Sequence, residues 1–169
     1  IQGLLDFARP PEMHRVPHDL RGTLRRALNL VEGRARQQDV VVHEDFWPAP
    51  VMFQGDPEQL HQVFVNLLIN ALHALDKEES EIRIIAKKGR TWQERVTIEV
   101  ADNGSGIEAK AINNLFDPFF TTKPFHKGMG LGLYMVKNML EGLGGRIEVA
   151  SEPGKGSTFR IVLADIDVQ

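Results

Sequence analysis

The segment from Asp56 to Leu75 constrains this chain more than any other. Asp56 suits a helix N-cap, Pro57 suits the first helical position, and Gln59 stands three residues beyond the cap. Val63, Leu67, Leu68, Ala71 and Leu75 then recur at helical spacing, so the helix must bury that face against another layer. Asn66 and Asn70 interrupt this apolar run one turn apart and project from a single face. A buried carboxamide without a partner costs about 1–3 kcal/mol, so both need one. Local backbone could serve. Alternatively, a carboxamide oxygen is a hard ligand suited to Mg²⁺, which also takes phosphate oxygens and waters. With Asn66, Asn70 and His73 inside it, the stretch is no membrane span, which needs ~20 mostly apolar residues.

The flanking pattern predicts an α/β chain. Ile1 to Ala8 is amphipathic and stopped by Pro10-Pro11, and reads as the tail of a helix begun upstream. With no initial Met and no signal-peptide pattern, the chain reads as an excised soluble fragment. Leu20, Leu24, Leu28 and Val31 predict a helix from about His18 to Gln37, and Val40–Phe46 is strand-like. Two alternating strands, Glu81–Lys87 and Arg95–Ala101, look hairpin-paired. A glycine turn, a short helix around Glu108–Leu115 and an irregular loop follow. A helix then runs from about Leu131 to Glu141-Gly142, and strands Arg146–Ala150 and Thr158–Leu163 flank the Glu152–Gly156 turn. Hairpin-paired strands with helices to cover one face predict a two-layer α/β sandwich. At 169 residues and 42% hydrophobic, the chain suits one domain with a small appendage. A net charge of −3 gives no basic footprint for nucleic acid, and the absence of cysteine excludes disulfides and thiolate metal sites.

Three further motifs carry chemistry. Asp102-Asn103-Gly104-Ser105-Gly106-Ile107 directly follows a strand. Its glycines permit a tight turn and a close ligand approach, and its carboxylate can accept a base amino proton. Gly104-x-Gly106-x-x-Ala109 also matches a dinucleotide fingerprint, but that reading wants an acidic residue some twenty positions on, where Thr121 to Phe125 stand. Phe116-Asp117-Pro118-Phe119-Phe120-Thr121-Thr122-Lys123 alone reads as an aromatic loop folded on the core. Gly128-Met129-Gly130-Leu131-Gly132-Leu133 opens a helix, and free amides at a helix start bind phosphate. Lys123, His126 and Lys127 stand just before it. No Walker A loop occurs, since Gly154-Lys155 is followed by Gly156, and no protein-kinase Asp-Phe-Gly or His-Arg-Asp triplet is present.

Taken together, Asn-x-x-x-Asn-Ala, Asp-x-Gly-x-Gly-Ile, Phe-x-Pro-Phe-Phe-Thr-Thr-Lys and Gly-x-Gly-Leu-Gly-Leu resemble the N, G1, F and G2 boxes of sensor histidine kinase catalytic domains. Those domains belong to the GHKL superfamily. Gly144-Gly145-Arg146-Ile147 and Gly154-x-Gly156-Ser157-Thr158-Phe159 extend the resemblance over nearly the whole chain. It implies a Bergerat fold, with a mixed, mostly antiparallel sheet covered by helices on one face. It also implies ATP and Mg²⁺ as cofactors and a short lid of the nitrogen-regulation type. Residues 1–12 would end a dimerisation and phosphoacceptor hairpin, and residues 13–169 would form the catalytic domain.

Residue by residue, the resemblance implies that Asn70 ligates Mg²⁺ and that Asn66 and His73 lie by the phosphates. Asp102 would accept the adenine amino proton, with Thr158 joining through water, and Gly106 and Ile107 would line the base. Phe116 to Gly128 would form the lid, and Gly130 and Gly132 would offer amides to phosphate. Ala74, Gly104, Phe120, Thr122, Lys123, Gly128, Met129, Leu131 and Leu133 complete the expected nucleotide contacts. ATP-hydrolysing and serine-directed relatives carry glutamate where this chain has Asn66, which cannot act as a general base. Neutral imidazole, with a pKa of about 6.5, is already a competent acceptor near pH 7. Histidine phosphorylation is therefore favoured over hydrolysis or serine phosphorylation, and a non-catalytic nucleotide-binding module is the remaining alternative.

His18-Asp19-Leu20-Arg21-Gly22-Thr23-Leu24 loosely matches the family's acceptor box. No room remains after it for the rest of a dimerising hairpin, so His18 is expected to start a catalytic-domain helix, with His14, His43 and His61 surface or structural. The implied partners are the protein's own dimerisation domain in a homodimer and a response regulator receiver domain, without membrane contact by this segment. The implied location is cytoplasmic.

Overall fold

The computed structural model describes residues 12–91, 94–122 and 129–164. The expectations for Ile1–Ala8, Lys123 and Gly128 lie outside them. Strands β1 (Val16–Asp19) and β3 (Met52–Gly55) form a small antiparallel pair. Strands β2 (Val41–Phe46), β4 (Glu81–Thr91), β5 (Glu94–Asp102), β7 (Gly156–Leu163) and β6 (Gly145–Glu152) form the main sheet in that spatial order. Within it β2 runs parallel to β4, and the other neighbours are antiparallel. The helices are α1 (Leu20–Gln37), α2 (Pro57–Ala74), the single turn α3 (Ala109–Ile112) and α4 (Gly132–Gly142).

Strand alternation explains the two layers. Ile82, Ile84 and Ala86 of β4, Val96, Ile98 and Val100 of β5, and Phe159, Ile161 and Leu163 of β7 are buried with the apolar faces of α1, α2 and α4 in one core. The alternate positions carry charge instead. Glu99, Arg160 and Glu148 stand side by side across three strands, with Arg160 Nη1 at 3.0 Å from Glu148 Oε2 and Nε at 3.6 Å from Glu99 Oε1. The sandwich with a mixed, mostly antiparallel sheet is therefore as expected.

Helix α2 begins where the cap predicts. Asp56 has extended backbone, and its Oδ1 accepts from Glu58 N at 3.0 Å and Gln59 N at 3.2 Å. Its other oxygen, Oδ2, accepts from His14 N at 3.0 Å and so fastens the incoming chain to the same cap. Arg15 donates from Nη2 to Gly142 O at 2.8 Å, tying that chain to the end of α4 as well.

Two local expectations are corrected, and two features are added. The first helix starts at Leu20 rather than His18, because Asp19 caps it, accepting from Arg21 N at 3.1 Å, while His18 belongs to β1. Strand β3 goes unmarked in the sequence reading, as does the parallel pairing of β2 with β4, which α2 separates along the chain. The short helix expected over Glu108–Leu115 is reduced to Ala109–Ile112.

Candidate functional site

Four elements converge on a cavity of about 540 Å³, within the usual range for small-molecule sites. Helix α2 presents Asn66, Ile69, Asn70 and His73 to it, a stripe at the i, i+3, i+4, i+7 spacing of one helical face. The opposite stripe, including Phe64, Leu67, Leu68 and Ala71, is buried in the core. This division accounts for two asparagines in an apolar helix: they lie on the face that borders the cavity.

Strand β5 delivers Asp102 to the cavity at its last position. Asp102 is only 9% exposed, and its Oδ1 accepts from Gly104 N at 2.9 Å, which folds the chain back under the carboxylate. Asn103 locks the same turn, accepting from Glu81 N at 2.9 Å and donating to Glu79 O at 2.7 Å. Gly104 itself does not line the cavity. It sits behind it beside the end of α2, where Ser105 N donates to Ala74 O at 2.9 Å. Gly106 holds φ +70, and any Cβ there would strike the backbone of Glu152, so the position admits only glycine without rearrangement. Ile107 N donates to Ser151 Oγ at 2.8 Å, and that hydroxyl lies 2.8 Å from Ser157 Oγ.

The third wall is the chain on either side of residues 123–128. Phe120, Thr121 and Thr122 line it from one side, and Met129, Gly130, Leu131, Gly132 and Leu133 from the other. The two stretches touch where Gly130, at φ +74, lies against the backbone of Phe119 and Phe120 too closely for any side chain. Among the described residues, helix α4 then opens with no side-chain cap on its first turn. The leading N–H groups of a helix have no intrahelical partner, and the helix dipole adds positive potential at the same place.

Of the expected residues, Asn66, Asn70, His73, Ala74, Asp102, Gly106, Ile107, Phe120, Thr122, Met129, Gly130, Leu131, Gly132 and Leu133 are brought together around this cavity. Thr158 is not. Phe159 faces the site, so the period of two in β7 places Ser157 there and turns Thr158 to the other face of the sheet. Ser157 is 5% exposed and stands opposite Asp102 in the ladder, so the hydroxyl beside the carboxylate is the serine's. Ile69, Ser105, Leu115 and Thr121 also line the cavity without having been expected. Ile69 shares the helical face of Asn66 and Asn70, and Thr121 stands between Phe120 and Thr122 in the loop. His18, by contrast, donates from Nδ1 to Val16 O at 3.0 Å, and its Nε2 is fully buried without a partner.

The donor set suits a nucleotide chelating a divalent cation. Among the described residues no cluster of three His, Asp or Glu side chains could hold a metal unaided. A cation here would take Asn70 together with the oxygens of a bound phosphate chain, in keeping with magnesium's habit of few protein ligands. Among the described residues Asp102 is the only carboxylate on the cavity wall.

This fold and this site are those of a nucleotide-binding domain. The family described as "Histidine kinase-, DNA gyrase B-, and HSP90-like ATPase" matches over residues 55–166, and the chain belongs to it. Sensor histidine kinase ZraS of Klebsiella oxytoca is 35% identical over 163 residues, covering 96% of this chain and 34% of that protein. Signal transduction histidine-protein kinase AtoS of Escherichia coli is 37% identical over 168 residues, covering 96% of this chain and 26% of that one. The chain thus spans about a third or less of these curated relatives. Among solved structures, the catalytic domain of histidine kinase ThkA superposes with a TM-score of 0.79 at 25% identity, covering 90% of this chain and 97% of that one. Full-length ShkA in complex with AMPPNP superposes with a TM-score of 0.80 at 27% identity, covering 96% of this chain and 35% of that one. Among the described residues no helix is long and apolar enough to cross a membrane.

Proposed function

We propose that this chain is the ATP-binding catalytic domain of a sensor histidine kinase, which hands the γ-phosphoryl group of ATP to a histidine on a dimerisation domain outside residues 13–169. The observation that carries this reading is Asn66, a carboxamide on the cavity face of α2 one turn from Asn70. A hydrolase or a serine kinase needs a base to take a proton from water or a hydroxyl, and an amide does not supply one. A neutral imidazole attacks with its own lone pair. In the transfer the bond from the γ-phosphorus to the bridging oxygen of ADP breaks, and a phosphorus–nitrogen bond to the imidazole forms.

The residues of this chain bind and orient. Asp102 accepts the adenine amino proton, with Ser157 beside it, and Gly106 and Ile107 bound the base. The amides that open α4 at Gly132, with Gly130 and His73, receive the phosphates. Asn70 would hold Mg²⁺, which would supply neutralisation of phosphate charge. Lys123 and Gly128 belong to the lid between Phe116 and Gly128 in this reading. The phosphohistidine is then consumed by an aspartate on a response regulator receiver domain, and the kinase acts as a homodimer in the cytoplasm. The similarity to ZraS and AtoS and the AMPPNP complex of ShkA support this reading.

The test mixes this chain, γ-labelled ATP and a separately prepared dimerisation domain from the same protein. Acid-labile, base-stable label on that domain is the expected result. Binding of ATP without label on the acceptor would mean a nucleotide-sensing module instead. Label on this chain alone, lost in His18→Ala, would overturn the assignment of His18 as structural.

A further inference from the structure

Gln62 lies one turn before Asn66 on the outer side of α2 and does not line the nucleotide cavity. It borders a separate groove of about 380 Å³, together with Pro57, His14 and Met139. A hydrogen bond links it to the site: Gln62 Nε2 donates to Asn66 Oδ1 at 3.1 Å. Helical side chains lean toward the N-terminus, so Asn66 reaches back over the turn that carries Gln62. A carboxamide holds its acceptor oxygen and its two N–H donors at opposite ends of one plane. When the oxygen is turned back to Gln62, the NH₂ group is the end left for the rest of the site.

We propose that Gln62 is a positioning residue that fixes the orientation of the Asn66 amide, so that Asn66 meets an anionic phosphate chain as a hydrogen-bond donor and is withheld from metal ligation. This rests on the nucleotide-binding reading above and deepens it. It divides labour between two chemically identical side chains. Asn66 donates to phosphate, and Asn70 alone offers an oxygen to the cation. An acidic residue at position 62 would reverse the arrangement, because a carboxylate can only accept and would draw the Asn66 NH₂ group away from the cavity.

The experiment uses this chain, ¹⁵N-labelled, with Mg²⁺–AMPPNP as the probe. The side-chain NH₂ signal of Asn66 is identified by its loss in Asn66→Ala. In the unsubstituted chain that signal moves on addition of the nucleotide. In Gln62→Glu it is displaced before addition and moves little afterwards, and calorimetric affinity falls by about 3- to 10-fold, the scale of one hydrogen bond. Gln62→Met, which neither donates nor adds charge, falls by a smaller factor with its melting temperature within about 2 °C, since an exposed pair of this kind adds little to a helix. A plain charge effect of the carboxylate in Gln62→Glu on the phosphates would survive in an Asn66→Ala background, whereas action through Asn66 disappears there. Persistence of the loss in that background overturns the proposal, as does an Asn66 signal that ignores the nucleotide in a chain that binds it. Failure of the unsubstituted chain to bind Mg²⁺–AMPPNP overturns the nucleotide reading itself.

Discussion

Asp56→Ala tests how the chain entering the domain is coupled to the helix that bears the site. Asp56 is 5% exposed and accepts three backbone N–H groups: Glu58 and Gln59 at Oδ1, and His14 at Oδ2. Loss of an N-cap costs about 0.5–2 kcal/mol. The His14 N–H loses a charged acceptor as well, and bonds to charged groups contribute about 1.5–3 kcal/mol. Together these come to about 2–5 kcal/mol. For a chain of this size each kcal/mol moves the melting temperature by about 2–4 °C, so the expected fall is about 5–15 °C in a calorimetric scan. Asp56→Asn separates the two contributions. Its single amide oxygen still caps α2, but its NH₂ group cannot accept from His14, so it should fall by only part of that amount. Amide hydrogen exchange supplies the second readout. His14 N–H should exchange faster in both variants, and Glu58 and Gln59 faster only in Asp56→Ala. A fall of less than about 2 °C for Asp56→Ala, or equal falls for the two variants, would refute the assignment of separate roles to the two oxygens.

Asp102→Ala should weaken Mg²⁺–AMPPNP binding by about 10- to 100-fold in calorimetry, the scale of a hydrogen bond to a charged group. Asp102→Asn retains an acceptor for Gly104 N, so a comparable loss there shows that the carboxylate serves the ligand rather than the turn. Asn70→Ala should raise the Mg²⁺ concentration needed for half-maximal nucleotide binding; a magnesium titration at fixed nucleotide checks this. Burial opposes ionisation of Asp19, but bonds from the Arg21 side chain and the Val51 and Arg21 N–H groups outweigh it and hold the carboxyl below its ordinary value of 3.8. A group depressed on folding adds stability above its unfolded pKa and loses it as pH falls through the folded value. Asp19→Asn should therefore melt lower than the parent near neutrality, with the gap closing below about pH 4; a constant gap down to about pH 2.5 would contradict this linkage.

Sequence alone reveals those parts of the fold whose signals are local. Helix α2 announces itself because a cap, a proline and an apolar stripe fall within one segment. Strand β3 does not, because Met52–Gly55 is short and its partner β1 lies far upstream, with α1 and β2 between them. Its stability is tertiary: Asp19, which caps α1, also accepts from Val51 N at 3.1 Å, and no propensity scale registers a bond across that separation. The same distance hides the parallel pairing of β2 with β4, since neighbouring strands look like hairpins until the helix between them is counted as a crossover.

The hydroxyl beside Asp102 is a different case, because its signal is present in the sequence. Phe159, Ile161 and Leu163 form an apolar alternation that sets which face of β7 meets the core, and Ser157 shares their parity while Thr158 does not. A motif read as a string carries no parity; a strand does. The same distinction applies on α2, where Asn66 and Asn70 are equivalent letters in a string. What separates them is a neighbour one turn away, Gln62, which the string places outside the motif and the helix places against Asn66. Asn66 excludes a general base by its chemistry, and the orientation set from Gln62 would decide what that amide does instead.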